Sequence, residues 1–283
     1  MRKTVDKSEL KPGKFLRLSY HPLGKPILWL STRRTVSKIA GAYLDSALSK
    51  PLIKGYAERN GIDLSQYEKG PFPSFNAFFT RRIRPELRPI DKDPAALISP
   101  CDAKLSAYRI DEKEHLRIKG FTYTLTSLLR DEALAARYRG GLCLVFRLCV
   151  DDYHRYHYLD NCTHDAPHFI KGCLHTVQPI ALENRRVFAE NCREYTLLHT
   201  ENFGDVMQIE VGALMVGRIH NNHKGGKFPR GAEKGRFEFG GSTIVVLLEK
   251  DRAVLDEEFF QNTAADKETI VRCGERIGYK KDT

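Results

Sequence analysis

Ser242–Glu249 reads STIVVLLE, and Leu142–Val150 reads LCLVFRLCV. Their reading decides the fold. Each is a run of β-branched, aliphatic and aromatic residues of strand length. Phe188–Leu198 and Met207–Ile219 carry the same texture, and Gly and Asn clusters separate the runs. One helical pattern interrupts them, near Ser127–Arg137. Strands at these spacings favour antiparallel pairing over βαβ units.

Upstream the texture is helical. Val36, Ile39, Ala40, Tyr43, Leu44, Ala47 and Leu48 share one face by the i, i+3, i+4 rule, with Arg34, Lys38 and Asp45 off the stripe. Pro51 should end this helix, and a second pattern at Leu52, Ile53, Tyr56 and Ala57 should stop at Gly61. Ser74 is placed to cap a short helix over residues 75–79. The basic, Pro-punctuated stretch from Arg81 to Pro89 reads as a connector. The predicted class is α+β: a basic helical, membrane-associating region over residues 1–75, then a β-rich, mainly antiparallel catalytic domain over 76–283.

With 283 residues, the chain has room for one large or two modest domains. Its 41% hydrophobic and 29% charged content excludes wholesale disorder. Near the N-terminus the longest uninterrupted apolar run is Ile27–Leu30, too short for a bilayer span or a signal peptide. The seven cysteines are odd in number and show no C-x-x-C pair, so reduced thiols are expected rather than a disulfide framework or a structural zinc site. Nearly all of the net charge of +10 falls in residues 1–60, which hold 13 Lys or Arg against 4 acids. With Tyr20, Trp29 and Tyr43 interleaved, this segment suits an anionic membrane surface. No helix-turn-helix, zinc finger or ribonucleoprotein motif accompanies the charge, so nucleic acid is not expected.

Three clusters carry polar chemistry. Ser99-Pro100-Cys101-Asp102-Ala103-Lys104 sets an acid in a turn before a strand. Asp151-Asp152-Tyr153-His154-Arg155-Tyr156-His157 directly follows the strand ending at Val150. Two histidines three apart suggest a metal pair, as do His164 and His168, yet no further ligands at recognisable spacing appear, and an acid/base role fits better. Gly240-Gly241-Ser242-Thr243 opens the most hydrophobic strand; it is neither a G-x-S-x-G elbow nor a phosphate-binding loop. An acid, a histidine and a serine on a β scaffold can assemble a nucleophile, base and orienting group.

These clusters run in one order with further motifs. Phe78-Phe79-Thr80-Arg81-Arg82 with Arg84-Pro85, Pro179-Ile180-Ala181-Leu182, Val187-Phe188-Ala189-Glu190-Asn191, and Val211-Gly212-Ala213 with Val216-Gly217 complete the set. From about residue 75 to 250 the chain resembles the proenzymes of the phosphatidylserine decarboxylase family. It departs from the common pattern at Gly240, where many members have Leu, and at Ala103, where Gly is common.

The resemblance implies conversion of phosphatidylserine to phosphatidylethanolamine at the cytoplasmic face of a bacterial membrane, by a peripheral enzyme that makes its own cofactor. Ser242 Oγ attacks the Gly241 carbonyl, the ester eliminates, and the new N-terminus hydrolyses to a pyruvoyl group with loss of ammonia. It also implies that His157 and Asp102 serve this cleavage and that His154 protonates the carbanion after decarboxylation. The products, residues 1–241 and 242–283, are expected to stay together as a heterodimer, and a homodimer of these is a further expectation. No metal is expected. The residues taken alone leave open a serine hydrolase, such as a lipid esterase, that uses Asp102, His157 and Ser242 without self-cleavage.

Overall fold

A computed structural model describes residues 2–7, 12–118, 121–214, 218–239 and 242–281. Its centre is a ten-stranded antiparallel sheet. Along the main path the order is Thr4–Asp6, Lys267–Val271, Ala103–Arg109, Leu142–Leu148, Ser242–Leu248, Asp205–Val211, Arg193–Thr200, Cys162–His164 and Gly226–Phe228. The tenth strand, His168–Ile170, pairs with Arg193–Tyr195. The two stretches that open the sequence reading are adjacent central strands, with Ser242 opposite Leu148 and Leu248 opposite Leu142.

Both faces of this centre are covered, which explains why its strands read as continuous rather than alternating apolar runs. Leu144, Phe146, Ile244 and Val246 enter one core with Leu105, Leu198 and Phe237. Cys143, Val145, Val245 and Leu247 enter a second core with Met207, Ile209, Leu128 and Phe188. Successive side chains on a strand point to opposite faces, so each run feeds both cores. A three-stranded sheet of Arg155–His157, Glu233–Phe237 and Ile219–Asn221 contributes Tyr156 and Phe237 to the first core.

The N-terminal segment is helical at Lys14–Tyr20, Lys25–Ser31, Arg34–Asp45 and Leu52–Arg59. Ser74 caps the helix Phe75–Phe79, its Oγ accepting the Ala77 N–H at 3.2 Å. Three details differ from the sequence reading. Thr4–Asp6 is an edge strand of the main sheet, paired with Lys267–Thr269, so the first residues join the β structure rather than a helical region. The helix expected near Ser127–Arg137 is two short helices, Leu125–Leu129 and Glu132–Ala136, parted where Arg130 adopts a left-handed φ of 56°. The strand expected from Phe188 begins at Arg193, after a helical turn Val187–Glu190. Asn191 ends that turn: its carboxamide donates to the carbonyls of His175 and Gly212 and accepts the His175 N–H.

Candidate active site

Ser242 is the first residue of a central strand and is fully buried. Its hydroxyl has no hydrogen-bond partner among the described residues. Gly240 and Gly241, half of the expected cleavage site, lie outside the described residues, as do Val216 and Gly217. The approach to them is fixed at Phe239, whose N–H donates to Asn76 Oδ1 at 3.2 Å. The Phe239 ring lies 4.9 Å from Phe75 and 5.2 Å from Phe79. An aromatic cluster from the N-terminal segment thus holds the chain three residues before the serine.

His154 follows from the neighbouring strand. After Leu148 the chain turns through residues 149–152, closed by Asp152 N–H to the Cys149 carbonyl at 3.0 Å. The turn is clamped by Lys104, whose Nζ lies 2.8 Å from both Asp152 oxygens. The His154 carbonyl then accepts the Phe237 N–H at 2.9 Å, tying the histidine to the chain that leads into Ser242. Its imidazole is fully buried, with the ring 4.1 Å from Phe79. Nδ1 is 2.9 Å from the Asp152 carbonyl, which can only accept, so Nδ1 carries the proton. Nε2 is therefore a bare lone pair, without a partner among the described residues. Burial above all, then the cations Arg81 and Lys104, pull the His154 pKa from 6.5 to about 3.

His157 and Asp102 meet on opposite sides of Cys273. The Asp102 carboxylate accepts Arg88 Nε at 2.8 and 3.0 Å, Arg88 Nη2 at 2.5 Å, and the Cys273 N–H at 2.9 Å. Cys273 Sγ is 3.2 Å from His157 Nδ1, and the His157 N–H donates to the Pro100 carbonyl at 2.8 Å. Burial lowers the His157 pKa, so this imidazole is also neutral near pH 7. Burial raises the Cys273 pKa and keeps it a thiol. Asp102 makes no direct hydrogen bond to His157; it reaches the histidine through the cysteine.

Sequence reading missed Arg88, Arg81 and Cys273. Arg88 and Arg81 belong to the basic stretch read as a connector, yet both turn inward. Arg81 stacks its guanidinium 4.1 Å over Tyr67 and 5.0 Å over Phe78. Nothing in the spacing of that stretch separates inward from outward arginines. Lys104 and Asp152 sit inside the quoted clusters, but their pairing spans 48 residues. His164, weighed as a metal ligand, is satisfied by Tyr158 Oη at 2.7 Å and the Asp165 carbonyl at 2.6 Å. Cys149, Asp151 and Asp152 also converge, but Lys104 Nζ takes the place a cation would need.

A β scaffold that buries a serine hydroxyl and neutral histidines is suited to acyl chemistry within its own chain, and comparison with known proteins supplies the class. The family model for phosphatidylserine decarboxylase matches residues 75–279. The chain is 43% identical over 276 residues to phosphatidylserine decarboxylase proenzyme 2 of Clostridium acetobutylicum, covering 97% of this chain and 94% of that protein. It is 40% identical over 285 residues to the phosphatidylserine decarboxylase proenzyme of Clostridium perfringens, covering 98% and 97%. This chain belongs to the phosphatidylserine decarboxylase family.

Proposed function

We propose that the protein decarboxylates phosphatidylserine to phosphatidylethanolamine, using a pyruvoyl group made from its own Ser242. The observation that carries this reading is a buried serine hydroxyl, unpartnered among the described residues, directly after a Gly-Gly pair in a chain so similar throughout to named proenzymes. A buried hydroxyl without a partner among the described residues is free to add to a neighbouring carbonyl. A serine hydrolase using Asp102, His157 and Ser242 would keep its chain intact, so self-cleavage separates the two readings.

Cleavage begins when Ser242 Oγ adds to the Gly241 carbonyl carbon; the peptide C–N bond breaks, an ester forms, and the hydroxyl proton passes to a base. His157 is that base, since burial keeps its imidazole unprotonated, and Asp102 and Arg88 position it through Cys273. Loss of the Ser242 α-proton then expels the Gly241 carboxylate, and water releases ammonia from the new N-terminus. The resulting ketone supplies an electron sink for decarboxylation of a bound primary amine. His154 Nε2 cannot donate a proton as it stands. It takes up the proton shed as the substrate nitrogen bonds to the ketone and returns it to the α-carbon once carbon dioxide has left.

The sheet supports a stable pair of fragments after the cut. Ser242–Leu248 remains between Leu142–Leu148 and Asp205–Val211, and Lys267–Val271 remains between Thr4–Asp6 and Ala103–Arg109.

Membrane docking falls to the N-terminal helices, and no described helix is long and apolar enough to cross a membrane. Among the described residues, 11 of the 14 exposed large apolar side chains lie between Phe15 and Leu64, in the segment that also carries the charge excess. Apolar insertion and attraction to anionic lipid together suit peripheral binding at the cytoplasmic face of a bacterial membrane.

Intact mass tests the reading. The wild-type chain should resolve into fragments of 241 and 42 residues, and Ser242→Ala should remain a single chain of 32.3 kDa that releases no carbon dioxide from phosphatidylserine vesicles. Two fragments from the alanine variant would remove Ser242 from the cleavage.

A further inference from the structure

A second cluster of ligating side chains lies where the N-terminal helices meet the sheet body. Cys173 Sγ, His175 and a Glu190 carboxylate oxygen all fall within 4.8 Å of one another. The backbone brings them together. Cys173 and His175 are two apart, Cys173 pairs with Asn191, and the Cys173 N–H donates to the Glu190 carbonyl at 3.0 Å. His175 Nε2 is 3.6 Å from Glu190 Oε2, and its Nδ1 is 3.2 Å from Tyr20 Oη. A histidine with one nitrogen facing other ligands and the second hydrogen-bonded to an oxygen has the arrangement of a metal ligand with its orienting partner.

The cluster opens on a cavity of about 590 Å³ lined by Leu28, Trp29, Arg33 and Arg185. Arg33 and Arg185 oppose a cation, but a thiolate and a carboxylate carry two negative charges and neutralise a divalent ion. In this respect the site differs from the Cys149, Asp151 and Asp152 cluster, where a lysine ammonium already sits among the ligands. A thiolate, imidazole and carboxylate set suits a borderline-soft ion rather than magnesium or calcium. Tetrahedral zinc bonds of about 2.0–2.3 Å put ligand atoms roughly 3.5 Å apart; the histidine–glutamate pair is already at that spacing, and the cysteine, within 4.8 Å, would exchange its hydrogen bond to the Glu190 carbonyl at 3.3 Å for the metal.

We propose that Cys173, His175 and Glu190 form a three-ligand site for a divalent ion of the zinc class, its fourth position facing the cavity. The ion would fasten the N-terminal helices to the sheet body: Tyr20 belongs to helix Lys14–Tyr20, and the Leu174 N–H donates to the Thr32 carbonyl at 3.2 Å, just past helix Lys25–Ser31. Sequence reading could not see this, because C-x-H followed by a glutamate 15 residues on matches no metal motif.

Titration of chelator-stripped full-length protein with Co²⁺ tests the proposal. One equivalent should bind with a thiolate-to-cobalt charge-transfer band, Zn²⁺ should displace it, and the melting temperature should rise with free metal. Cys173→Ser should remove the band, and Tyr20→Phe should weaken binding about 10–100-fold while keeping it. The wild-type titration needs no variant to fold. Absence of a bound equivalent, binding without the band, or a band that survives Cys173→Ser would each overturn the site.

Discussion

Strand Ser242–Leu248 and helix Arg34–Asp45 are both amply apolar, and they place those side chains in opposite surroundings. Every residue of the strand is buried, because sheet neighbours and two cores cover it on all sides. The helix buries Leu44 and Ser37, while Ile39 is 69% exposed and Tyr43 46% exposed; Leu48, just beyond it, is 76% exposed. A stripe long enough to pack a helix on its own protein is thus only partly used for that purpose. Burial isolates Ser242 from water in the one region, and exposure in the other leaves the apolar surface proposed to meet lipid.

The two regions also touch. Asp45 Oδ1, at the end of the helix, accepts Asn76 Nδ2 at 2.8 Å, and Asn76 Oδ1 accepts the Phe239 N–H. Phe239 is three residues before Ser242, so helix Arg34–Asp45 is two hydrogen bonds from the backbone that leads to the serine. Substitutions in this helix can therefore reach the proposed cut through Asn76.

The largest expected effect lies in the buried region. His154→Gln should still yield two fragments by intact mass, since its proposed role begins after cleavage. Carbon dioxide release should fall about 10²–10⁴-fold, the usual contribution of a general acid/base. Normal turnover by the cleaved variant would take His154 out of the reaction.

Next is the clamp on Asp102. Arg88→Leu leaves a buried carboxylate with only the Cys273 N–H, and breaking a buried ion pair from one side costs about 3–5 kcal/mol. Urea unfolding should show that loss, and cleavage should slow because His157 loses its support through Cys273. Unchanged stability would mean that the Arg88–Asp102 pair does not hold this part of the fold.

A smaller effect comes from acid. Below pH 6.5 the unfolded chain takes up a proton on His154 that the native state, with its pKa near 3, refuses. The contribution of this group to stability is therefore lost as pH falls from 6.5 towards 3. Asp152, raised by burial to about 6, works the other way below that pH, because the native state binds its proton first. His154→Gln removes only the first effect. Between pH 7 and 4.5 the variant should lose about 2–3 kcal/mol less stability than wild type by urea midpoints. Equal losses would show that water reaches the imidazole.

The sheet centre was legible because its runs are long, β-rich and doubly buried, and local composition carries all of that. Ser242, His154, His157 and Asp102 could be nominated because unusual residues cluster beside those runs, and the family resemblance supplied their proposed roles. What failed to show depends on distance or backbone detail. Thr4–Asp6 is a strand only because residues 267–269 lie beside it. The break at Arg130 needs a left-handed residue that its side chain does not announce. Arg88 finds Asp102 across 14 residues that include the strand Ala96–Ile98, and Cys273 reaches Asp102 from 171 residues away. No periodicity encodes such pairings.

One helix can separate the two environments in a single experiment. Leu44 is 6% exposed and packs with Ala57, Phe75 and Phe78, whereas Ile39 on the same helix faces outward. Leu44→Ala should cost about 2–5 kcal/mol of stability, as large-to-small core changes do. It should leave vesicle binding of the folded protein unchanged. Ile39→Ser should barely alter stability but weaken binding to phosphatidylglycerol vesicles roughly tenfold, because one fewer aliphatic side chain enters the interface. Charge contributes separately: each Lys or Arg near the surface adds on the order of 1 kcal/mol, so reversing Arg33 and Lys38 should also weaken binding, and added salt should abolish that part alone. Co-sedimentation at low and high salt reads both components. A salt-insensitive remainder that Ile39→Ser reduces assigns the outward face to lipid. If Ile39→Ser leaves that remainder intact, the exposed stripe is not the membrane contact and the docking face lies elsewhere on the molecule.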